Sequence, residues 1–365
     1  MEIPLFKIYW DEDDIKAVSD ALKRGRDWAL GPNIEEFEKL IAQYIGIKHA
    51  VVFNSGGSAL HALLISYGIS KDDEIIVPSF SFICTANAPL YVGAKPIFAD
   101  IEEISYGLDP EDVRKKITEK TKAIMSMHYG GAVCLKIKEL SSLAKEKGIL
   151  LIEDAAESFG AKLGDQKAGS FGDAAMFSFC QTKVFTTGEG GCIITNSDDI
   201  YEKLKLIRSY GRDESGLKYV SLGYNFRMSD ALAALGISQI KKVDKLISIR
   251  REKAEYLTKI LSGIKQIIIP EFPEEIFHVY QEYHIRAESR DALKKHLTEK
   301  GIGTRISFPP IHLTDYYKNT LGYNISLPKT EKIVSETLTL PLYPDLSEQE
   351  MDYITQQIKN FYTKN

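Results

Sequence analysis

The stretch Phe177–Asn196 reads FSFCQTKVFTTGEGGCIITN and sets one lysine, Lys183, between two short apolar runs. The first run, MFSF, lies just before it; the second, CIITN, follows a glycine-rich turn, TTGEGG. Two strands joined by a loop would present Lys183 at the loop's mouth. Upstream, ILLIEDAAESFG is a strand-like apolar run that ends in Glu153 and Asp154. By residue type alone, a lysine near a turn is a solvated charge. Its setting after a strand-end carboxylate and before a glycine-rich turn points elsewhere.

That arrangement suits pyridoxal phosphate. A lysine amine condenses with the cofactor's aldehyde, and an aspartate pairs with its pyridinium nitrogen. Further upstream, AVVFNSGGSALHALLISYG gives a β-rich run ending at Asn54 and a helix beginning near Ser58, with Gly56 and Gly57 at the junction. Glycines let a backbone approach an anion, and the free N–H groups of a helix N-terminus point at it. This is a phosphate cradle in principle.

The surrounding pattern alternates. EIIVPSFSF, AKPIFAD, KAIMSMHYGG and ILLIEDA read as strands; DPEDVRKKI and the segment from Lys136 to Gly148 read as helices. Such units imply a mostly parallel sheet covered by helices on both faces, with ligand sites at the carboxyl ends of its strands. Asn54, Pro78, His128, Asp154 and Phe179 fall at such ends. Before this region, residues 11–24 read as an amphipathic helix with acids in its first turn, and NIEEFEKLIAQYIG as a second helix. A further helix is expected from about Ser229. From about Lys241 the character changes. QIIIP, EYHIRA and GTRISF read as short strands; SRDALKKHLTEKG, LPKTEKIVSETLTL and SEQEMDYITQQIKNFY read as helices. The reading is a large α/β domain over residues 1–240 and a smaller α+β domain over 241–365.

Taken together, NSGGSALHALL, VPSFSFICTANAPLYVGAKPIFAD, IEDAAESFGA, the Lys183 stretch and GYNFRMSD resemble the DegT/DnrJ/EryC1/StrS sugar aminotransferases, of pyridoxal phosphate fold type I. The resemblance runs from IPLFKIYW to the final helix. It implies an aspartate-aminotransferase-like large domain and a homodimer. It implies amino transfer from glutamate to a nucleotide-linked keto-sugar. Lys183 and Asp154 take the catalytic positions. Gly56, Gly57, Ser58, Ser178 and Asn225 match the phosphate contacts, with Asn225 reaching the neighbouring subunit's cofactor. Phe82 matches the aromatic that stacks on the ring, Ala156 lies under it, and Glu157 stands where many members carry a ring-hydroxyl-binding glutamine.

The chain departs from the family at Gly57, where threonine is common, and at Cys180, where histidine often stands. Glu157 resembles perosamine synthases, which favours a 4-keto-6-deoxyhexose over the alternative 3-keto sugar. Trp28, Arg227, Arg305 and His312 are the substrate-contact candidates. For three of them a plainer reading stands beside it: a loop anchor for Trp28, an ion pair for Arg227, a solvated ring for His312. A related dehydratase carries histidine where Lys183 stands, so lysine favours amino transfer. A non-enzymatic regulatory protein is the rival from another class, and nothing resembles a basic DNA-reading helix.

Composition agrees with this reading. The chain has 365 residues, is 44% apolar and 27% charged, and carries a net charge of −5. No basic run suggests nucleic acid, and no apolar run suits a membrane span. Cys84, Cys134, Cys180 and Cys192 are scattered, so no metal site and no disulfide framework is expected. A cytoplasmic setting follows.

Overall fold

The computed structural model describes residues 1–213 and 215–363. Thirteen strands form among them: β1 (His49–Phe53), β2 (Glu74–Pro78), β3 (Lys95–Ala99), β4 (Thr121–Met127), β5 (Leu150–Asp154), β6 (Lys162–Leu163), β7 (Gln166–Lys167), β8 (Ala174–Ser178), β9 (Gly191–Thr195), β10 (Ile267–Ile268), β11 (Ile276–Phe277), β12 (Tyr283–Ala287) and β13 (Thr337–Leu340). Seven of them make the central sheet, in the order β1-β9-β8-β5-β4-β2-β3. β9 runs antiparallel to both its neighbours, and the other pairings are parallel.

Side-chain alternation explains why this sheet is buried on both faces. Val52, Ile76, Leu151, Phe177 and Ile194 point to one core, with the helices Pro32–Ile45 and Ile137–Lys147. Val51, Val77, Ile152, Met176 and Ile193 point to the other, with the helices Gly56–Ser66 and Asp198–Arg208. Period-two alternation between two apolar layers requires strands apolar throughout, which the sequence supplies.

A third core gathers Leu257, Leu261, Tyr283, Leu293, Leu338, Met351 and Ile354 around the sheet β10-β12-β13, and draws in Ile3 from the chain's start. Ile311, Tyr317 and Leu327 pack instead into the second core of the large sheet.

The helix boundaries follow capping chemistry. Asp11, Ser55, Ser197 and Ser229 each cap a helix with a side-chain oxygen, as short polar side chains do. Three expectations need correction. LPKTEKIVSETLTL is a helix only over Pro328–Glu336; its Thr337–Leu340 end is β13, buried throughout and paired with β12. QIIIP contributes only the two residues of β10. GTRISF touches the sheet at a single bridge, Arg305 to Thr339.

Candidate active site

β5 and β8 lie side by side in parallel, so their carboxyl ends bring Asp154 and Ser178 to one edge. The chain after β8 folds into a tight loop before β9. Phe179 N–H donates to the Gly190 carbonyl over 2.9 Å, and Thr187 N–H donates to the Phe179 carbonyl over 3.0 Å. Lys183 projects from this loop. Its Nζ is 3.4 Å from Glu157 Oε1. Ala156, Glu157, Ser178 and Lys183 line one small cavity, joined by Gln281.

The electrostatics of this pocket are unusual. Burial disfavours the Lys183 ammonium. Glu157 first, then Cys180, Glu282 and Asp154, outweigh it, and the amine's pKa is raised. Burial pushes the Glu157 carboxyl up, against Lys183 and the Gly130 N–H, which donates to Oε2 over 2.9 Å. Burial likewise pushes Asp154 up, opposed first by the Thr85 hydroxyl. Ionisable groups shifted by burial and by one another mark a functional site.

The phosphate cradle is built from backbone. Ser55 caps the helix Gly56–Ser66, and its Oγ accepts from Ser58 N–H over 3.1 Å. A Cβ on Gly56 would come 3.1 Å from Met176 Sδ and 3.6 Å from Ser178 Oγ. A Cβ on Gly191 would lie 2.5 Å from the Gly56 nitrogen, so the start of β9 must be glycine for the helix N-terminus to sit there. A helix N-terminus with close-approaching backbone and flanking serines fits a phosphate. The buried carboxylate and lysine fit a pyridine ring bearing an aldehyde.

The outer candidates are placed as follows. Phe82 is 56% exposed and edge-on to Phe308 at 5.5 Å, and it is not among the residues that line the cavity with Lys183. Trp28 also leaves its ring exposed while its carbonyl accepts from Asp230 N–H over 2.7 Å. Asn225 is exposed, with its backbone bridged to Ser209. Arg227 lies over the Tyr210 ring at 5.1 Å, and its Nη1 donates to Ser209 Oγ over 3.4 Å. Arg305 pairs with Glu282 and donates to Ser307 Oγ over 2.7 Å. His312 is buried, not solvated; its Nδ1 is 2.6 Å from Ser79 Oγ and its Nε2 is 3.2 Å from Glu331.

Sequence reasoning passed over three residues here. Thr85 donates to Asp154 Oδ2 over 2.6 Å. Gln281 Nε2 donates to the Thr182 carbonyl over 2.6 Å and so braces the lysine loop. Glu282 adds a buried carboxylate whose field reaches Lys183. Thr85 lies inside a stretch already singled out, but nothing in its type marks it. Gln281 and Glu282 reach the pocket only through tertiary packing.

Comparison with known proteins gives the same picture. The sequence pattern of the DegT/DnrJ/EryC1/StrS aminotransferase family matches residues 9–359. A GDP-perosamine synthase of Escherichia coli O157:H7 is 35% identical, over 99% of each chain. The UDP-4-amino-4,6-dideoxy-N-acetyl-beta-L-altrosamine transaminase of Campylobacter jejuni is 32% identical, over 97% of this chain and 96% of that one. PseC of Helicobacter pylori, an aminotransferase involved in the biosynthesis of pseudoaminic acid, superposes with a TM-score of 0.94 at 28% identity, over the whole of both chains. The pattern match spans the two apolar cores of the large sheet, the Lys183 loop and the third core alike, and the chain belongs to the DegT/DnrJ/EryC1/StrS aminotransferase family.

Proposed function

We propose that this enzyme moves an amino group from glutamate to a nucleotide-linked keto-sugar, at carbon four of a 4-keto-6-deoxyhexose. The observation that carries the reading is Lys183, 13% exposed and 3.4 Å from Glu157 in the cavity it shares with Ala156 and Ser178, on the loop that follows β8, next to the Asp154 end of β5. Relatives named for perosamine and for a 4-amino-4,6-dideoxy sugar support the substrate class.

When bound, pyridoxal phosphate supplies an aldehyde that accepts the amino group and a ring that withdraws electrons from the neighbouring carbon. The chain's own residues do the rest. Asp154 keeps the ring nitrogen protonated. Gly56 and Gly57 would offer N–H donors at the helix N-terminus, and Ser58 and Ser178 hydroxyls, to hold the phosphate. Phe82 and Ala156 would hold the ring, and Glu157 would accept from its hydroxyl. Lys183 is placed to take up the aldehyde. Its amine, when free, would move a proton at the amino donor's α-carbon, and one in the opposite sense for the sugar. One lysine thus anchors and then acts as base and acid.

The proposal extends to a homodimer in which Asn225 of the partner subunit completes the phosphate site. The support is exposure: Asn225 lies beside a segment that displays Leu217 at 84% and Leu222 at 77% exposed, an apolar strip that a second copy would cover. Trp28, Arg227 and Arg305 remain proposed contacts for the sugar nucleotide. For His312, whose ring nitrogens already hold Ser79 and Glu331, a role through the loop it anchors suits its burial better than direct contact.

The test offers glutamate with a 4-keto-6-deoxy or a 3-keto-6-deoxy sugar nucleotide and locates the new amine by NMR. Amination at carbon four is expected. Preference for the 3-keto sugar would overturn the carbon assignment, and no amination of any member of a UDP-, GDP- and dTDP-linked panel would overturn the reaction.

A further inference from the structure

Asp154 is buried at the end of β5, where an ionised carboxylate loses nearly all its hydration. Something in the protein must replace that hydration if the group is to stay charged. The replacement comes from the loop after β2 and from the first turn of the helix Cys84–Tyr91. Thr85 Oγ1 donates to Asp154 Oδ2 over 2.6 Å. Ser81 Oγ lies 2.6 Å from the same Thr85 oxygen. Ala156 N–H donates to the other carboxylate oxygen, Oδ1, over 3.2 Å. Ser81 and Thr85 are both fully buried.

The two hydroxyls take their direction from the charge on Asp154. A threonine hydroxyl carries one proton. If Asp154 is ionised it can only accept, so Thr85 spends its proton there, and Ser81 must then donate to Thr85. If Asp154 were neutral, the same three groups could run in reverse. The chain Ser81 to Thr85 to Asp154 therefore favours the charged form of the carboxylate and disfavours its protonated form, because hydrogen bonds to a carboxylate stabilise it. Each carboxylate oxygen still has a free lone pair, so a further donor can be received.

We propose that Ser81 and Thr85 form a hydroxyl relay that holds Asp154 ionised and oriented for the ring nitrogen, making Thr85 a positioning residue for amino transfer. This rests on the reading of Asp154 as the partner of that nitrogen. The relay also explains why the loop is built as it is. Ser81 is flanked by buried Phe80 and exposed Phe82, so the bond from Ser81 to Thr85 ties this loop to the helix Cys84–Tyr91.

The other groups that face Asp154 are accounted for. Lys183 from the loop after β8 and His128 at the end of β4 both favour its charge. Cys84, next to Thr85, has its thiol pushed up to about 12, by burial and then by Asp154, and stays neutral. Of the groups that oppose burial, Thr85 comes first, followed by the Ala156 N–H, Lys183 and His128.

The experiment uses the full chain without cofactor, labelled with [4-13C]aspartate, with Asp154→Asn assigning the carboxyl signal. Thr85→Val removes the hydroxyl at nearly constant shape, and Thr85→Ser restores it. The expected result is a titration midpoint for Asp154 about one pH unit higher in Thr85→Val, the size of one charge-assisted hydrogen bond lost, and a return towards the parent in Thr85→Ser. With cofactor, kcat should fall about tenfold in Thr85→Val at unchanged KM for the keto-sugar, and recover in Thr85→Ser. Should Thr85→Val not fold, Ser81→Ala carries the same titration with a smaller upward shift expected. A folded variant with the parent's midpoint would overturn the relay. Because the titration needs no cofactor, it fails or stands apart from the aminotransferase reading, which the absorption spectrum of the loaded enzyme tests.

Discussion

In the proposed reaction two residues carry most of the chemistry, and burial opposes the charge of both. Asp154 has its pKa pushed above the ordinary aspartate value of 3.8 by burial. The sign of the consequence is definite. A carboxyl whose folded pKa is raised destabilises the cofactor-free fold as pH climbs above that ordinary value, since the charged form is the disfavoured one. Asp154→Asn should therefore raise the Tm of the cofactor-free protein at pH 7, and the gain should shrink towards pH 4. The same change should cut amino transfer at least 10²-fold, as for loss of a charge-stabilising group. Thermal scans of the cofactor-free variant at both pH values check the first, and steady-state rates the second; a variant less stable than the parent at pH 7 would contradict the assignment of a strained charge.

Lys183 shows the opposite balance. Its acidic neighbours, Glu157 first, overcome burial and hold the proton. Condensation with an aldehyde needs the neutral amine, so Glu157→Gln should lower the lysine's pKa and speed cofactor uptake near neutral pH. A fall of one unit would give about tenfold. Stopped-flow absorbance on mixing the cofactor-free variant with pyridoxal phosphate measures this; uptake slower than the parent's would show that the Glu157 contact to the cofactor outweighs its effect on Lys183. At this scale the placement was legible in the sequence: Asp154 ends β5 as its apolar run implies, and Ser178, singled out by the family resemblance, shares a cavity with Lys183. The sequence was silent on Thr85 and Gln281, whose roles come from a partner distant in sequence: Asp154 for the one, Thr182 for the other.

At the scale of elements, the approach of β9 to the helix Gly56–Ser66 is the tightest demand on the backbone. Gly191→Ala would put a methyl 2.5 Å from the Gly56 nitrogen, and backbone, not a flexible side chain, is what it meets. The helix N-terminus must shift, and cofactor affinity should fall by about tenfold or more, with the fold retained. Fluorescence titration with pyridoxal phosphate is the measurement; an unchanged Kd would remove that N-terminus from the site.

The elements of the large sheet were readable because each strand carries an apolar run and several helices open on a capping side chain, as at Ser55, Asp109 and Ser197. β13 was not. Thr337–Leu340 continues the apolar spacing of the preceding helix, and only pairing with β12, from Tyr283–Leu340 to Arg286–Thr337, makes it extended. The same holds for β6, β7 and β11, two residues each, whose sheet joins Leu163 to Ile276. Strands this short have no periodicity to read; tertiary contact decides them.

At the scale of the whole molecule, three cores, one lysine loop and an exposed apolar segment make a consistent whole. Gln281 ties the third core's neighbourhood to the Lys183 loop, and Arg250 Nη1 fastens the Tyr280 and Leu342 carbonyls behind it, at 3.2 and 3.1 Å. Asn225, exposed in a single copy, acquires a task only if a second copy presents it. Mixing Lys183→Ala subunits with Asn225→Ala subunits should restore part of the activity, because one of the two sites in a mixed dimer is then intact. Mixed dimers with no recovered activity would exclude a shared site.

The central claim is that Lys183 carries pyridoxal phosphate and gives it up to an amino donor. The most direct measurement is the visible absorption spectrum of the cofactor-loaded protein on adding glutamate, followed by a keto-sugar nucleotide. The band that depends on Lys183 should fall with glutamate, return with the keto-sugar, and be absent from Lys183→Ala. A loaded, folded protein whose spectrum ignores glutamate, or a Lys183→Ala variant that still responds as the parent does, would contradict it.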